Sequence, residues 1–176
     1  MKFEVQDPIP FEAEEAFLLL RDEMSALVPF MEDTESINVM SREESEGEVR
    51  LTNHWQASMN KIPSALRSFV KPEMLSWHDH AVWTSEDRTG RWTLEALGSD
   101  KLFSCEGETS VVSEGETSSL KITLTFEVYP EKVPGIPKFL AKKIGSQVEK
   151  LIGEILSANM RQMAQSMSSY AAQING

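Results

Sequence analysis

The chain has 176 residues with 17 Lys plus Arg against 28 Asp plus Glu, a formal net charge of −11, and one cysteine. That length supports one domain able to bury a core without disulfides or a structural metal, and 40% hydrophobic with 26% charged residues is a globular composition. The acidic balance excludes general nucleic-acid binding, which needs a basic face. No run reaches the ~18 apolar residues of a membrane span, the start Met1 to Pro8 lacks a signal-peptide core, and the lone Cys105 fits a reducing compartment, so a cytoplasmic protein is expected.

Residues 2–7 alternate, with Phe3 and Val5 on one side, and predict a short strand stopped by Pro8 and Pro10. From Phe11 the period changes. Ala13, Ala16, Phe17, Leu20, Met24 and Leu27 form one apolar stripe, predicting a single helix that ends at Pro29, with Glu12, Glu14 and Glu15 suiting the positive end of its dipole. From about 34 to 58 the pattern is extended, turning at Glu46-Gly47, and Val49, Leu51, Asn53, Trp55 and Ala57 share one side of the second strand. Asn60 to Val70 predicts a short helix with Ile62, Leu66, Phe69 and Val70 as its apolar face. Four more strands follow at about 74–86, 90–97, 102–113 and 116–129. The last is the clearest, since Leu120, Ile122, Leu124, Phe126 and Val128 alternate with polar residues, as in a sheet wetted on one face. The tetrapeptide Gly-Glu-Thr-Ser recurs at 107–110 and 115–118, which suggests two adjacent polar strand ends and no duplicated unit. Prolines at 130, 134 and 137 lead into a long helix to about Ala172, with Leu140, Ile144, Val148, Leu151, Ile152, Ile155, Met160, Met163, Met167 and Tyr170 as its stripe.

A seven-stranded antiparallel sheet and one long amphipathic helix must cover each other's apolar faces, so the fold class is α+β in a single domain. This order of elements, with the opening Pro8-Ile9-Pro10-Phe11-Glu12-Ala13-Glu14-Glu15-Ala16-Phe17 and Leu20-Arg21-Asp22, resembles the START-like superfamily (SRPBCC, polyketide cyclase-like) and its small bacterial branch of unknown function. The segment from Leu51 to Trp92, with Trp55 late in a strand and a small amphipathic helix after it, is similar to PRELI- and slowmo-like phospholipid carriers. The resemblance implies a helix-grip fold, a curved sheet wrapped around the C-terminal helix, with a hydrophobic cavity between them and the short helix at its mouth. Members bind lipids, sterols, polyketides or quinones, and some are cyclases, so fold does not settle function.

If the long helix lies on the concave face, parity points Leu51, Asn53, Trp55, Trp77, Trp83, Trp92, Leu94, Phe103, Cys105, Leu120, Ile122, Leu124 and Phe126 inward. All of these but Trp83 and Leu120, with Leu66 and Phe69 of the short helix and Ile144, Val148, Ile152, Ile155 and Met163 of the long one, make the expected ligand-binding wall. Aromatic side chains at this density suit either an apolar pocket or a packed core. Asn53 is a polar group on that wall that needs a partner. Gly145 and Gly153 cost the long helix about 1 kcal/mol each relative to Ala, a cost that close approach to the sheet or room for a ligand would offset.

His78 and His80 face one side of a strand, with Asp79 on the other, and pairing about position 66 sets His54 opposite His78 and Trp55 opposite Trp77. Parity puts the histidines on the wet face, where surface histidines are expected and no metal is assigned. No nucleophile elbow, phosphate loop, Cys-x-x-Cys or His-Glu-x-x-His is present. Glu95 and Glu106 are the acids placed to serve a cavity reaction. Lys132, Lys138, Lys142, Lys143 and Lys150 stand against one acid, Glu149, beside Phe139, a pattern that suits transient docking of Lys138, Phe139, Lys142 and Lys143 on an anionic membrane or acidic partner. Non-catalytic binding or transport of a lipid-like small molecule, with no cofactor, is the expectation. A cyclase using the same cavity, or an interaction module with a filled core, are the alternatives.

Overall fold

The computed structural model describes residues 1–62, 64, 67, 71–97, 103–132 and 138–176. Alternation of apolar and polar residues makes seven strands: β1 (Lys2–Ile9), β2 (Thr34–Ser45), β3 (Glu48–Ala57), β4 (Ser76–Thr84), β5 (Thr89–Ala96), β6 (Phe103–Ser113) and β7 (Ser118–Val128). They form one curved antiparallel sheet in the order β1-β7-β6-β5-β4-β3-β2, so every neighbour is consecutive in the chain except β1, which closes onto β7. The turn at Glu46-Gly47 lies where the sequence predicts it, with Gly47 at φ +73°, a conformation that a side chain disfavours.

Two helices cover the inner face. In α1 (Ala13–Asp22), Ala13, Ala16, Phe17, Leu19 and Leu20 are buried, and Phe17 meets Trp83 of β4 edge-on at 5.7 Å. The single helix expected to run to Pro29 instead ends at Glu23, whose N–H donates to Leu19, and Met24–Phe30 continue as a 3₁₀ turn with Pro29 inside it. Proline cannot donate the backbone bond of a helix interior, and the tighter turn still buries Leu27. The first strand passes through Pro8, where a stop was expected. It is an edge strand with ladder partners on one side only, so a missing N–H on the open side breaks no pairing.

The long helix α2 (Lys138–Ile174) carries a buried row at Met160, Ala164, Met167 and Ala171. This end is fastened to the rest of the chain. The Ser166 hydroxyl lies 3.1 Å from the Phe30 carbonyl and 2.7 Å from that of Gln162, and Tyr170 sits between Phe11 and Phe30 with ring centroids at 6.5 and 6.2 Å. Around it Ile9, Phe17, Leu20, Leu27, Val111 and Leu120 make a densely buried core.

The repeated tetrapeptide does not mark two strand ends. Its first copy lies inside β6, and its second spans the turn into β7. Gly107 is needed there for close approach, because a Cβ would stand 2.5 Å from the Thr123 carbonyl oxygen and 2.5 Å from the Trp92 ring. The short helix expected over 60–70 falls mostly outside the described residues, and what is described of it is a 3₁₀ turn at Met59–Lys61.

Candidate functional site

Strand register lines up the inner face row by row. One row runs Leu51, Ala81, Trp92, Gly107, Leu124 and Phe3. The next runs Asn53, Asp79, Leu94, Cys105 and Phe126, and beyond it lie Ile37, Trp55, Trp77 and Ala96. The pairing of Trp55 with Trp77 and of His54 with His78 is the one the sequence predicts. The Trp55 and Trp77 rings stack at 5.9 Å with 16° between planes, and Phe103 stacks on Phe126 at 5.4 Å.

Burial divides this face. Leu51, Asn53, Cys105, Ile122, Leu124 and Phe126 are buried, whereas Trp55, Trp77, Trp92, Leu94 and Phe103 are only half-buried. Met163 is half-buried on α2. Leu66 and Phe69 lie outside the described residues, and so do the side chains of Ile144, Val148, Ile152, Ile155, Lys138, Lys142 and Lys143. Phe139, in the first turn of α2, is 80% exposed.

In the middle of the wall sits Asp79, only 7% exposed. Burial pushes its carboxyl up to about 6, although the Asn53 amide, the Trp55 indole and the charge of His80 all favour the ionised form. Among the described residues Asp79 Oδ1 and Trp55 Nε1 have no hydrogen-bond partner, although both atoms are out of contact with solvent. The indole thus lies near enough to Asp79 to favour its charge without meeting it in a bonded geometry. Orphaned buried polar atoms are uncommon because each carries a desolvation cost that nothing returns. Trp92, by contrast, is satisfied, since its Nε1 donates to Thr109 Oγ1 at 3.0 Å.

Asp79, and neither Glu95 nor Glu106, is the acid of this wall. The sequence already places it opposite His78 and His80, hence on the side of Trp77, and the same parity excludes the two glutamates. Those alternate with Leu94 and Cys105 and lie exposed on the outer face. Cys105 is 4% exposed, and burial together with the negative charges of Asp79 and Glu106 pushes its thiol up to about 12, so it stays protonated and is no nucleophile at neutral pH.

The histidines occupy the outer face with partners of their own. His80 Nε2 lies 2.9 Å from Glu95 Oε2, His78 Nδ1 is 3.7 Å from the same oxygen, and Thr52 Oγ1 stands 3.2 Å from His80 Nδ1. The bond from His80 holds the Glu95 carboxyl below its usual range. Donor atoms of His78, His80 and Glu95 lie within 4.8 Å of one another, near enough to share a cation. They are separated from the inner wall by the sheet itself.

An antiparallel sheet closed over a C-terminal helix, with α1 and its 3₁₀ extension between the first two strands, is the helix-grip fold. The chain belongs to the DUF2505 family, described as a protein of unknown function, which matches residues 4–158. No curated protein matches the sequence. Among solved structures, TTHA0849 from Thermus thermophilus is 20% identical with a TM-score of 0.73, the match covering 100% of both chains. The Zhui aromatase/cyclase from a Streptomyces species is 11% identical with a TM-score of 0.65, covering 95% of this chain and 93% of that one. Norcoclaurine synthase from Thalictrum flavum is 15% identical with a TM-score of 0.59, covering 98% and 86%. At these identities the likeness is one of fold. Among the described residues no helix is long and apolar enough to cross a membrane.

Proposed function

We propose that this protein binds or carries a hydrophobic, lipid-like small molecule, without transforming it, between the inner face of β3–β6 and α2. One observation carries the reading. Trp55, Trp77, Trp92, Leu94 and Phe103 point inward, yet all stay half-buried while the opposite end of the same face is packed shut. Side chains of this size gain by complete burial, and an apolar guest would supply it at about 25 cal/mol per Å², or roughly 0.8 kcal/mol per methylene. Leu66 and Phe69 belong to this reading as part of the mouth, and Ile144, Val148, Ile152, Ile155 and Met163 as the helical wall. Transient contact with a membrane through Lys138, Phe139, Lys142 and Lys143 is supported by the exposure of Phe139.

Asp79 supports a second reading, catalysis of the aromatase/cyclase type. A carboxyl held near 6 in apolar surroundings can both give and take a proton near neutral pH. Fold likeness to an aromatase/cyclase and to norcoclaurine synthase makes that chemistry worth testing, though it is no evidence for it.

Native mass spectrometry of gently purified protein, before and after incubation with a mixed lipid extract, tests the first reading. Bound masses that survive desolvation and vanish on unfolding are expected. A bare protein mass after repeated lipid challenge would overturn it, and a bound mass that changes with time would favour catalysis.

A further inference from the structure

We infer that the guest carries a hydroxyl group, an alcohol or a phenol, which hydrogen-bonds Asp79 Oδ1 and Trp55 Nε1 together. This deepens the reading above and rests on it. The two atoms come from adjacent strands and adjacent rows of the inner wall, both are buried, and neither has a partner among the described residues. Asp79 Oδ1 accepts and the indole N–H donates. A hydroxyl is the smallest group that completes both bonds at once. An ammonium could reach Asp79 but has no lone pair for Trp55, and a ketone or ether could accept from Trp55 but leaves the carboxylate bare. A ligand carboxylate would set negative charge against Asp79 in a poorly solvated place.

The neighbours of this pair favour a flat apolar body on the hydroxyl. Trp77 lies parallel to Trp55, and Leu94 stands opposite Asp79 on the next strand. Asn53 already faces Asp79 across the strand pair and helps hold its ionised form, which is the form that accepts from a hydroxyl. A trapped water satisfying the same two atoms would let a guest without a hydroxyl bind above it equally well, an outcome the comparison of two probes separates from a bonded guest hydroxyl.

The experiment compares 2-naphthol with 2-methoxynaphthalene, matched in ring and differing in the donor, by isothermal titration of the full chain at pH 7.5. Hydrogen bonds to charged groups lead to an expected preference for 2-naphthol of about tenfold or more in the wild type. The preference should fall towards unity in Asp79→Leu and in Trp55→Phe, the latter keeping an aromatic ring and removing the N–H. Equal affinity of the two probes for the wild type would overturn the hydroxyl assignment and leave the apolar site standing. Binding of neither would overturn both. Because the wild-type comparison needs no substitution, the test survives a variant that fails to fold, and retention of the full preference in Trp55→Phe would remove the indole from the site.

Discussion

Replacing Asp79 with Asn keeps the side-chain volume and removes a charge that the fold buries at a cost. In the folded chain the carboxyl ionises near 6, against 3.8 in its ordinary state. Between those values the folded form holds a proton that the unfolded form has lost, so the contribution of this group to stability is fully present below pH 3.8 and is lost as pH rises through about 6. At ~1.4 kcal/mol per pKa unit the loss is about 3 kcal/mol, as an upper figure. An amide at this position does not titrate. The ligand-free Asp79→Asn variant should therefore match the wild type near pH 4 and exceed it at pH 7 by up to about 3 kcal/mol, or roughly 6–12 °C in Tm for a chain of this size. Urea unfolding of both proteins in steps from pH 4 to 7.5 measures the difference. Cys105, whose thiol is pushed up to about 12, stays neutral throughout. The charge of His80, which favours ionised Asp79, narrows the gap but does not close it, because burial of the carboxyl is the larger effect. A variant no more stable than the wild type at pH 7, or a gap that does not widen with pH, would refute the reasoning that Asp79 is buried without adequate partners.

Gly107→Ala should destabilise the protein by about 1–3 kcal/mol and alter tryptophan fluorescence, because the new methyl would meet the backbone oxygen of Thr123 as well as the Trp92 ring. Cys105 should resist iodoacetamide in the folded protein at pH 8 and react at once in denaturant, since a buried thiol near 12 is thiolate in only about one molecule in ten thousand. Mass spectrometry of the labelled chain reads this directly. Met167→Ala, at a fully buried position between α2 and the core, should cost about 2–5 kcal/mol in chemical denaturation.

Much of the frame can be read from residue periodicity. The alternation from Leu120 to Val128 reappears as β7, and symmetry about residue 66 sets the true register of β3 and β4. Strands are legible because one face is wet, which forces a period of two on the chain. The 3₁₀ turn after Glu23 is hidden, because Met24 and Leu27 continue the helical stripe and only the hydrogen bonds change. Pro8 misleads for want of the knowledge that its strand lies at an edge. Asp79 is the instructive miss. Its side of the strand follows from the histidines that flank it, but carboxylates are mostly solvated, and that base expectation outweighs parity unless parity is applied to every residue of the strand.

The reading of an apolar guest between sheet and helix is tested most directly by a crystal structure of the protein soaked with 6-bromo-2-naphthol, the bromine located by its anomalous signal. A peak against the inner face of β3–β6, with the naphthol ring beside Trp55 and Trp77 and its oxygen between Asp79 and the indole N–H, is the predicted result. Bromine found only on the outer surface, over an interior filled by the protein's own side chains, would contradict it.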